Sequence, residues 1–296
     1  MNFMSQNKWF YLCLLSIIWG SSYILIKYGL IGLTPLQLGS VRIIISCFFL
    51  LIIGYNSLSN LTYYEWKWLV ITGFIGTFFP SFLFAFAQKY IDSALTAIMN
   101  SLTPIFTLII GLLFFSSKIY LRQYIGVALG FIGTSSLIWN GINSGVNNDF
   151  FYSFLIICAS ICYATNIHFL KIKLSNVKPV AIALGNFIAI FPPAFIYLFV
   201  SDFFSLENLK NPELINSLGY IVLLAFFATA IAKIIFLKLV KISTPIFVSS
   251  VTYLIPIVAF FWGVLDGESI GILEIISAVM ILIGVFLANK PKEQNK

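Results

Sequence analysis

The sequence predicts an all-α polytopic membrane protein whose ten transmembrane helices form two inverted five-helix repeats. Three observations support this fold class: the composition, the lengths of the apolar segments and the similarity of the two halves. Of the 296 residues, 60% are hydrophobic and only 9% are charged, whereas soluble domains carry about 25% charged residues. A chain with so few charges cannot cover a surface that faces water, so we expect most of its surface to face lipid.

Ten apolar segments are separated by turn residues or charges, and each is close to the roughly 20 residues that cross a bilayer core as a helix. The runs are continuous rather than alternating, which favours helices over a β-barrel. The predicted spans are residues 9–31, 35–54, 69–88, 94–115, 123–140, 152–170, 179–200, 217–237, 245–265 and 271–289. The domain organisation is a first repeat over 1–140, a linker loop over 141–151, a second repeat over 152–289 and a cytoplasmic tail over 290–296.

The distribution of lysine and arginine predicts the orientation. With the N-terminus in the cytoplasm, twelve of these residues lie on the cytoplasmic side and two, Lys89 and Lys210, lie in outer loops. Because cytoplasmic loops carry an excess of Lys and Arg, both termini are expected to face the cytoplasm of a bacterial-type plasma (inner) membrane. Residues 1–8 are too short and polar for a cleavable signal, so the first helix is expected to be retained. The basic residues do not form a groove, which argues against a nucleic-acid partner.

The two halves of the chain are similar at nearly constant separations. A shift of 144 residues places Ser16–Ser22 over Ser160–Asn166, Lys27 over Lys171 and Pro35 over Pro179. A shift of 152 places Thr77 over Thr229, Pro104 over Pro256 and Gly111 over Gly263, and a shift of 151 places Gly133 over Gly284. Each half has an odd number of helices, so the second half must enter the membrane from the opposite side. Inverted repeats are a recurring construction of transporters, with the substrate site near the midplane between the halves.

Motif residues recur in the same order in both halves. They are Trp19, Gly20, Ser21, Ser22, Pro35, Arg42, Leu102, Thr103, Pro104, Gly111 and Gly133 in the first, and Pro179, Leu254, Ile255, Pro256, Gly263, Gly267, Glu268 and Gly284 in the second. In this order, spacing and duplication the chain resembles the EamA family of the drug/metabolite transporter superfamily over nearly its whole length. It departs from the family at Ser116–Lys118, where an acidic pair is usual, and at Asn186 and Ala164, which match Arg42 and Gly20. The resemblance implies that the first, third and fourth helices of each half line a central cavity and that the fifth helices lie at the periphery.

Twelve polar or aromatic residues are candidate substrate-cavity residues, and all except Arg42, which is in the second predicted helix, are on the predicted inner helices. They are Trp19, Ser22, Arg42, Phe82, Asn100, Thr103, Tyr163, Asn166, Lys233, Ser250, Thr252 and Tyr253. Arg42 and Lys233 lie inside predicted spans, where an unpaired charge costs about 2.5–3.5 kcal/mol on insertion scales. Each either snorkels toward an interface or faces the cavity, where it would attract an anionic group such as a carboxylate.

The uncharged candidates also have two interpretations. An asparagine amide has four hydrogen-bonding positions, so Asn100 and Asn166 indicate a polar environment more strongly than serine or threonine, whose hydroxyl can bond its own helix or a neighbouring one. The aromatic candidates would line a pocket for an apolar or aromatic group, or would face lipid. Pro104 and Pro256 each remove a backbone donor in mid-helix, and we expect a kink that frees a carbonyl toward the cavity or supplies a hinge.

Together these features predict an alternating-access transporter that exports small metabolites such as amino acids or related amphiphilic solutes. Two alternatives stay open: a non-transporting receptor or sensor, and a membrane enzyme acting on lipid. The sequence has no Walker A loop, no HExxH motif and no paired carboxylates, which disfavours an enzyme. The four cysteines lack a metal-binding spacing, so no metal or cofactor is expected. The expected partners are a small-molecule solute and the lipid bilayer; a homodimer, the direction of transport and the coupling ion are left open.

Overall fold

The computed structural model describes residues 7–59, 61–115, 149–205, 210–267 and 271–289, and scattered positions between 121 and 136. All regular secondary structure in these residues is helical. The helices are α1 (Lys8–Gly32), α2 (Pro35–Gly54), α3 (Tyr63–Gln88), α4 (Ser93–Phe115), α5 (Asp149–Lys173), α6 (Pro179–Val200), α7 (Pro212–Ile242), α8 (Pro245–Leu265) and α9 (Ile272–Asn289). Short 3₁₀ turns at Tyr55–Ser57 and Asp202–Phe204 follow α2 and α6.

Helices α1 to α8 are each long and apolar enough to cross a membrane, and α9 contains the shorter apolar helix Ile275–Gly284. The chain is therefore a multi-pass membrane protein. The fifth predicted span, residues 123–140, lies mostly outside the described residues, although the positions described there are helical. Most of the predicted linker and the whole of the predicted tail also lie outside them.

The observed helix ends lie close to the predicted ones except in α3 and α7, which are longer than predicted. Helix α3 begins at Tyr63 because Thr62 and Glu65 form a capping box, in which the Thr62 hydroxyl accepts from the Glu65 amide and the Glu65 carboxylate accepts from the Thr62 amide. These two contacts satisfy backbone donors that the helix start would otherwise leave unpaired. The added residues, 63–68, are charged or aromatic, so a search for continuous apolar residues does not include them.

Four helices, α2, α6, α7 and α8, begin with a proline. Proline fits the first helical position because the amide hydrogen it lacks has no partner there. The side chains of Thr34, Asn211 and Thr244 cap three of these helices by accepting from backbone amides of the first turn. These signals keep the loops short and fix where each helix enters the bundle.

One helix in each half contains π-helical turns. They lie at Phe74–Phe78 in α3 and at Leu224–Ile231 in α7, and the shift of 152 places residues 74–78 over 226–230. Such turns are frequent at functional sites. Two further helices are interrupted, α4 by a turn at residues 101 and 102 and α8 at Ser250.

Helices from the first half of the chain pack against helices from the second. Helix α1 contacts α7 and α8, α5 contacts α3 and α4, and α2 packs along α6. The approach of α1 to α8 depends on Gly20, where an added Cβ would lie 2.5 Å from the Val258 Cβ. This packing leaves a cavity at the centre of the bundle.

Candidate substrate cavity

The central cavity lies between the two halves, and each of the helices α1 to α8 contributes to its wall. It contains about 970 Å³ of space that protein atoms do not fill, including the part that opens outward. The centre of a water molecule can occupy about 110 Å³ of this space, several times the roughly 10–15 Å³ that one water molecule needs. The cavity therefore has room for a small solute.

Most of the residues predicted from the sequence lie on the cavity wall. They are Trp19, Ser22, Arg42, Asn100, Thr103, Tyr163, Asn166, Lys233 and Thr252. Three others lie elsewhere. The Phe82 ring packs against Gly39 of α2, where an added Cβ would lie 2.5 Å from it, and the Ser250 hydroxyl donates to the Phe247 carbonyl at the interruption of α8. Tyr253 follows that interruption and is not on the wall.

Most of the cavity wall is built from pairs of residues that the repeat relates. The pairs are Trp19 and Tyr163, Ser22 and Asn166, and Tyr23 and Ile167 at a separation of 144, and Gly76 and Ala228, Thr77 and Thr229, Ser81 and Lys233, Phe84 and Phe236, Asn100 and Thr252, and Thr103 and Ile255 at a separation of 152. Sequence reasoning missed Tyr23, Thr77, Ser81 and Phe84. The repeat was the available signal for two of them, since subtracting 152 from Lys233 gives Ser81, and Thr77 already matches Thr229.

Two cationic side chains reach the cavity, and a threonine of the opposite half holds each one. The Arg42 Nε donates to Thr229 Oγ1 at 2.8 Å, and the Lys233 Nζ donates to Thr77 Oγ1 at 3.0 Å. Both threonines lie in the π-helical turns. Lys233 is only 7% exposed, so its side chain points into the protein instead of snorkelling. Within the described part of the wall, no Asp or Glu accompanies these cations.

Aromatic pairs cover the apolar part of the wall. Trp19 packs on Phe236 with ring centroids 5.3 Å apart, and the repeat-related Tyr163 stacks on Phe84 at 5.9 Å. The Trp19 Nε1 donates to the Ala228 carbonyl at 2.9 Å, which fixes its ring against the π-helical turn of α7. These four rings give the cavity two apolar faces, one from each pair.

The two predicted asparagines differ in how far their amides are satisfied. The Asn100 Nδ2 donates to the Tyr23 hydroxyl at 2.9 Å, and its Oδ1 accepts from Thr103 at 3.1 Å. Asn166 is 2% exposed, and its Oδ1 has no hydrogen-bond partner among the described residues. A buried acceptor without a partner costs about 1–3 kcal/mol. Asn100 therefore belongs to an internal network, whereas Asn166 offers an unused acceptor at the cavity.

Each predicted kink proline leaves one backbone carbonyl without its helical amide donor, and a side-chain hydroxyl donates to that carbonyl instead. Pro104 follows the turn in α4, and the carbonyl four residues before it, that of Asn100, accepts from Thr103 Oγ1 at 2.8 Å. Pro256 lies inside α8, and the carbonyl of Thr252 accepts from Ser101 Oγ of the first half at 3.0 Å. The Thr252 contact joins α8 to α4, whereas the Asn100 contact stays within α4.

An ion pair joins the two halves beside the C-terminal ends of α1 and α8. The Lys27 Nζ lies 2.5 Å from Asp266 Oδ2, and the Tyr28 hydroxyl donates to the same carboxylate. These two donors hold the pKa of the Asp266 carboxyl below its usual value. The Tyr28 ring stacks on Tyr220 of α7 with centroids 5.0 Å apart. These contacts link the first half of the chain to the second at this end of the bundle.

Comparison with known families agrees with this architecture. Two stretches of the chain, residues 7–139 and 150–290, match the EamA-like transporter family. The chain belongs to this family. The EamA-like protein is therefore a membrane transporter and not an enzyme.

Relatives of this EamA-like protein span nearly its whole length. An uncharacterized transporter of Archaeoglobus fulgidus is 24% identical over 288 residues, covering 95% of this chain and 98% of its own. A probable amino-acid metabolite efflux pump of Salmonella typhimurium is 26% identical and covers 96% and 95%. An uncharacterized inner membrane transporter of Escherichia coli is 25% identical and covers 94% and 89%. A chain of known crystal structure superposes with a TM-score of 0.68 at 14% identity, covering 94% of both chains, and shares the fold.

Proposed function

We propose that this protein is an alternating-access transporter with ten transmembrane helices in two inverted five-helix repeats. We further propose that it exports small metabolites such as amino acids or related amphiphilic solutes across a bacterial inner membrane, with both termini in the cytoplasm. The observation that carries the proposal is the central cavity, whose wall is made largely of repeat-related residues from both halves. Two halves that exchange conformations would open such a cavity first to one side and then to the other.

The contacts of two glycines support the inversion. An added Cβ at Gly133 would meet Ser277 and Ile281, and one at Gly284 would meet Gly126 and Gly130. The shift of 151 exchanges these two sets of contacts, since 126 + 151 = 277 and 130 + 151 = 281. Reciprocal contacts of this kind are the signature of a two-fold relation. Low numbers on one helix meet high numbers on the other, so the paired helices are antiparallel, as an axis in the membrane plane requires.

The substrate class and the direction rest on different support. The Salmonella typhimurium relative is named an amino-acid metabolite efflux pump. The aromatic pairs and the Asn166 amide supply the apolar and polar surfaces that an amphiphilic solute needs. The orientation rests on the excess of Lys and Arg in the predicted cytoplasmic loops.

Solute flux in proteoliposomes tests the proposal. Wild-type protein should move at least one member of a panel of small metabolites faster than protein-free liposomes. The Asn100→Ala/Asn166→Ala variant should lose at least about tenfold of that rate, which is about 1.4 kcal/mol. Asn56→Ala, at an exposed position outside the cavity, is the matched control and should keep the rate. A wild type that moves nothing, or a double variant as fast as wild type, would overturn the assignment.

A further inference from the structure

The described part of the cavity wall carries a net positive charge. Arg42 and Lys233 bring two positive charges to it, and each has one described hydrogen bond, to a threonine hydroxyl. An ammonium has three donors and a guanidinium has five, so most of their N–H groups are left for a ligand. Among the described residues the ion pair is Lys27 with Asp266, which lies away from the cavity. The charge of the wall is therefore not neutralised by the described part of the chain.

The two cations enter the cavity from different helices and reach the two π-helical turns. Arg42 extends from α2 to Thr229 of α7, and Lys233 extends from α7 to Thr77 of α3. Both cations and both threonines line the same cavity. An anionic group that enters this cavity is therefore attracted by both cations.

Burial makes an anionic ligand favourable. Lys233 is 7% exposed, and a charge held in a low-dielectric interior without a counter-ion costs several kcal/mol. The guanidinium cannot lose its proton, so Arg42 stays charged when the cavity is empty. An anion that enters offsets this cost, and a neutral or cationic solute does not.

An asparagine and two pairs of aromatic rings set further requirements for the ligand. The Asn166 Oδ1 is a buried acceptor without a partner among the described residues, so it favours a solute that carries a hydrogen-bond donor. The ring pairs Trp19 with Phe236 and Tyr163 with Phe84 favour an apolar group between them. Each of these features lies on the wall of the same cavity.

We propose that the transported solute is a small organic carboxylate, whose anionic group is attracted by the cavity cations Arg42 and Lys233 and whose hydrogen-bond donor meets Asn166. This inference rests on the proposed transport function and specifies its substrate class. Zwitterionic amino acids and hydroxy acids satisfy it, whereas their amides and the corresponding amines do not. Phosphate monoesters share the anionic chemistry and serve as a separate arm of the test.

The experiment measures flux in proteoliposomes for matched sets of solutes. Each set holds an amino acid, its carboxamide, its decarboxylated amine and a phosphate monoester of similar size, from glycine to tryptophan. The expected result is that transported solutes are carboxylates and that each carboxamide moves at least tenfold more slowly. Equal rates for the carboxamides or amines, or transport of phosphate monoesters alone, would overturn the carboxylate assignment while leaving transport intact. No flux of any solute would instead remove the transport function on which the inference depends.

Variants of the two cations provide the second readout, the ratio of carboxylate to carboxamide flux within one preparation. Partial misfolding cancels in this ratio. Lys233→Gln and Arg42→Gln should each lower it at least tenfold, while Lys233→Arg and Arg42→Lys should keep the preference because they keep the charge. Lys89→Gln, at an exposed position outside the cavity, is the control and should leave the ratio unchanged. A ratio that stays at the wild-type value in both glutamine variants contradicts the inference.

Discussion

The π-helical turns of α3 and α7 occupy equivalent positions in the repeat, but the charges beside them do not. Thr77 and Thr229 are related by the shift of 152, and each accepts a hydrogen bond from a cation of the other half. The residues equivalent to the cations are neutral: Ser81 matches Lys233, and Asn186 matches Arg42 by the shift of 144. The backbone conformation is thus repeated in the two halves, whereas the positions of the charged residues are not. A symmetric scaffold can reorient, while an asymmetric charge can select the solute.

Asn186 is the repeat equivalent of the cavity residue Arg42, but its side chain joins two helices instead of lining the cavity. Its Nδ2 donates to the Leu69 carbonyl at 2.7 Å and to Thr72 Oγ1 at 2.9 Å, which joins α6 to α3. It is fully buried and does not reach the cavity wall. The longer Arg42 side chain, from the same place in α2, crosses the interface and reaches Thr229. Side-chain length therefore decides which of the two positions serves the cavity.

The largest effect on transport is expected at Gly76, where the equivalent residue in the other π-helical turn is the larger Ala228. A Cβ at Gly76 would lie 2.1 Å from Asn166 Nδ2, so Gly76→Val should displace that amide. Overpacking costs about 1–3 kcal/mol, and we expect solute flux to fall more than tenfold with a lower unfolding temperature in detergent. Ala228→Gly makes the opposite change and should keep the flux. Transport by Gly76→Val at the wild-type rate would contradict this account of the wall.

The two threonines should differ in their contribution to stability. Thr229 accepts from Arg42 and donates to the Leu224 carbonyl at 3.0 Å, whereas the hydrogen bond described for Thr77 is the one from Lys233. A hydrogen bond to a charged group contributes about 1.5–3 kcal/mol and a neutral one about 0.5–1.5 kcal/mol. Thr229→Val should therefore destabilise the protein more than Thr77→Val, as measured by thermal unfolding in detergent. The reverse order would show that the two turns do not hold their cations as described.

Substitutions at the repeat-related residues Trp19 and Tyr163 should have different effects. The first should lower stability, and the second should change solute binding. Trp19→Phe removes the hydrogen bond to the Ala228 carbonyl and should lower stability by about 0.5–1.5 kcal/mol, with little change in solute affinity. Tyr163→Phe keeps the ring stacked on Phe84 and removes a hydroxyl on the cavity wall. We expect it to change the apparent affinity in flux assays and to leave the unfolding temperature near that of wild type. Interchanged effects would mean that the two rings have the opposite roles.

The smallest effects are expected at the ends of the bundle. Lys27 pairs with Asp266, whereas its equivalent Lys171 donates to the carbonyls of Val240 and Lys241 at the end of α7. Partly exposed ion pairs contribute about 0–1 kcal/mol, so Asp266→Asn should lower stability only slightly. The folded-state pKa of Asp266 is lowered, so this contribution is present at neutral pH and is lost as the pH falls through that pKa. Thermal unfolding at pH 7 and in acid checks both statements, and a loss of several kcal/mol would contradict them.

Much of the helix layout could be predicted from the sequence because its signals are local. The observed bounds of α2, α6 and α8 are the predicted ones, since Pro35, Pro179 and Pro245 each open a helix at the first position where proline fits. The start of α3 was missed because the cap formed by Thr62 and Glu65 precedes the apolar run. The π-helical turns have no comparable signature, since they depend on how α3 and α7 pack against other helices.

The cavity was predicted less completely than the helices. Polar residues such as Asn166 and Lys233 were found because burial in a bilayer requires a reason. Phe82 lies off the wall, and Phe84, which lies on it, was not predicted. Both faces of a membrane helix are apolar, so hydrophobicity does not separate a lipid-facing ring from a cavity ring. Hydrogen-bond partners such as the Thr77 hydroxyl and the Lys233 ammonium are 156 positions apart in the sequence, and no spacing rule joins them.

The most direct test of alternating access is the sided accessibility of the cavity wall. Ser22→Cys and Thr252→Cys lie on the wall in opposite halves, and they can be examined after the four native cysteines are replaced. A membrane-impermeant thiol reagent is added to oriented membranes from one side and then, in a separate sample, from the other. We predict that each cysteine reacts from both sides and that a transported carboxylate slows both reactions. Reaction from neither side, or from one side alone, would contradict a cavity that opens alternately across the membrane.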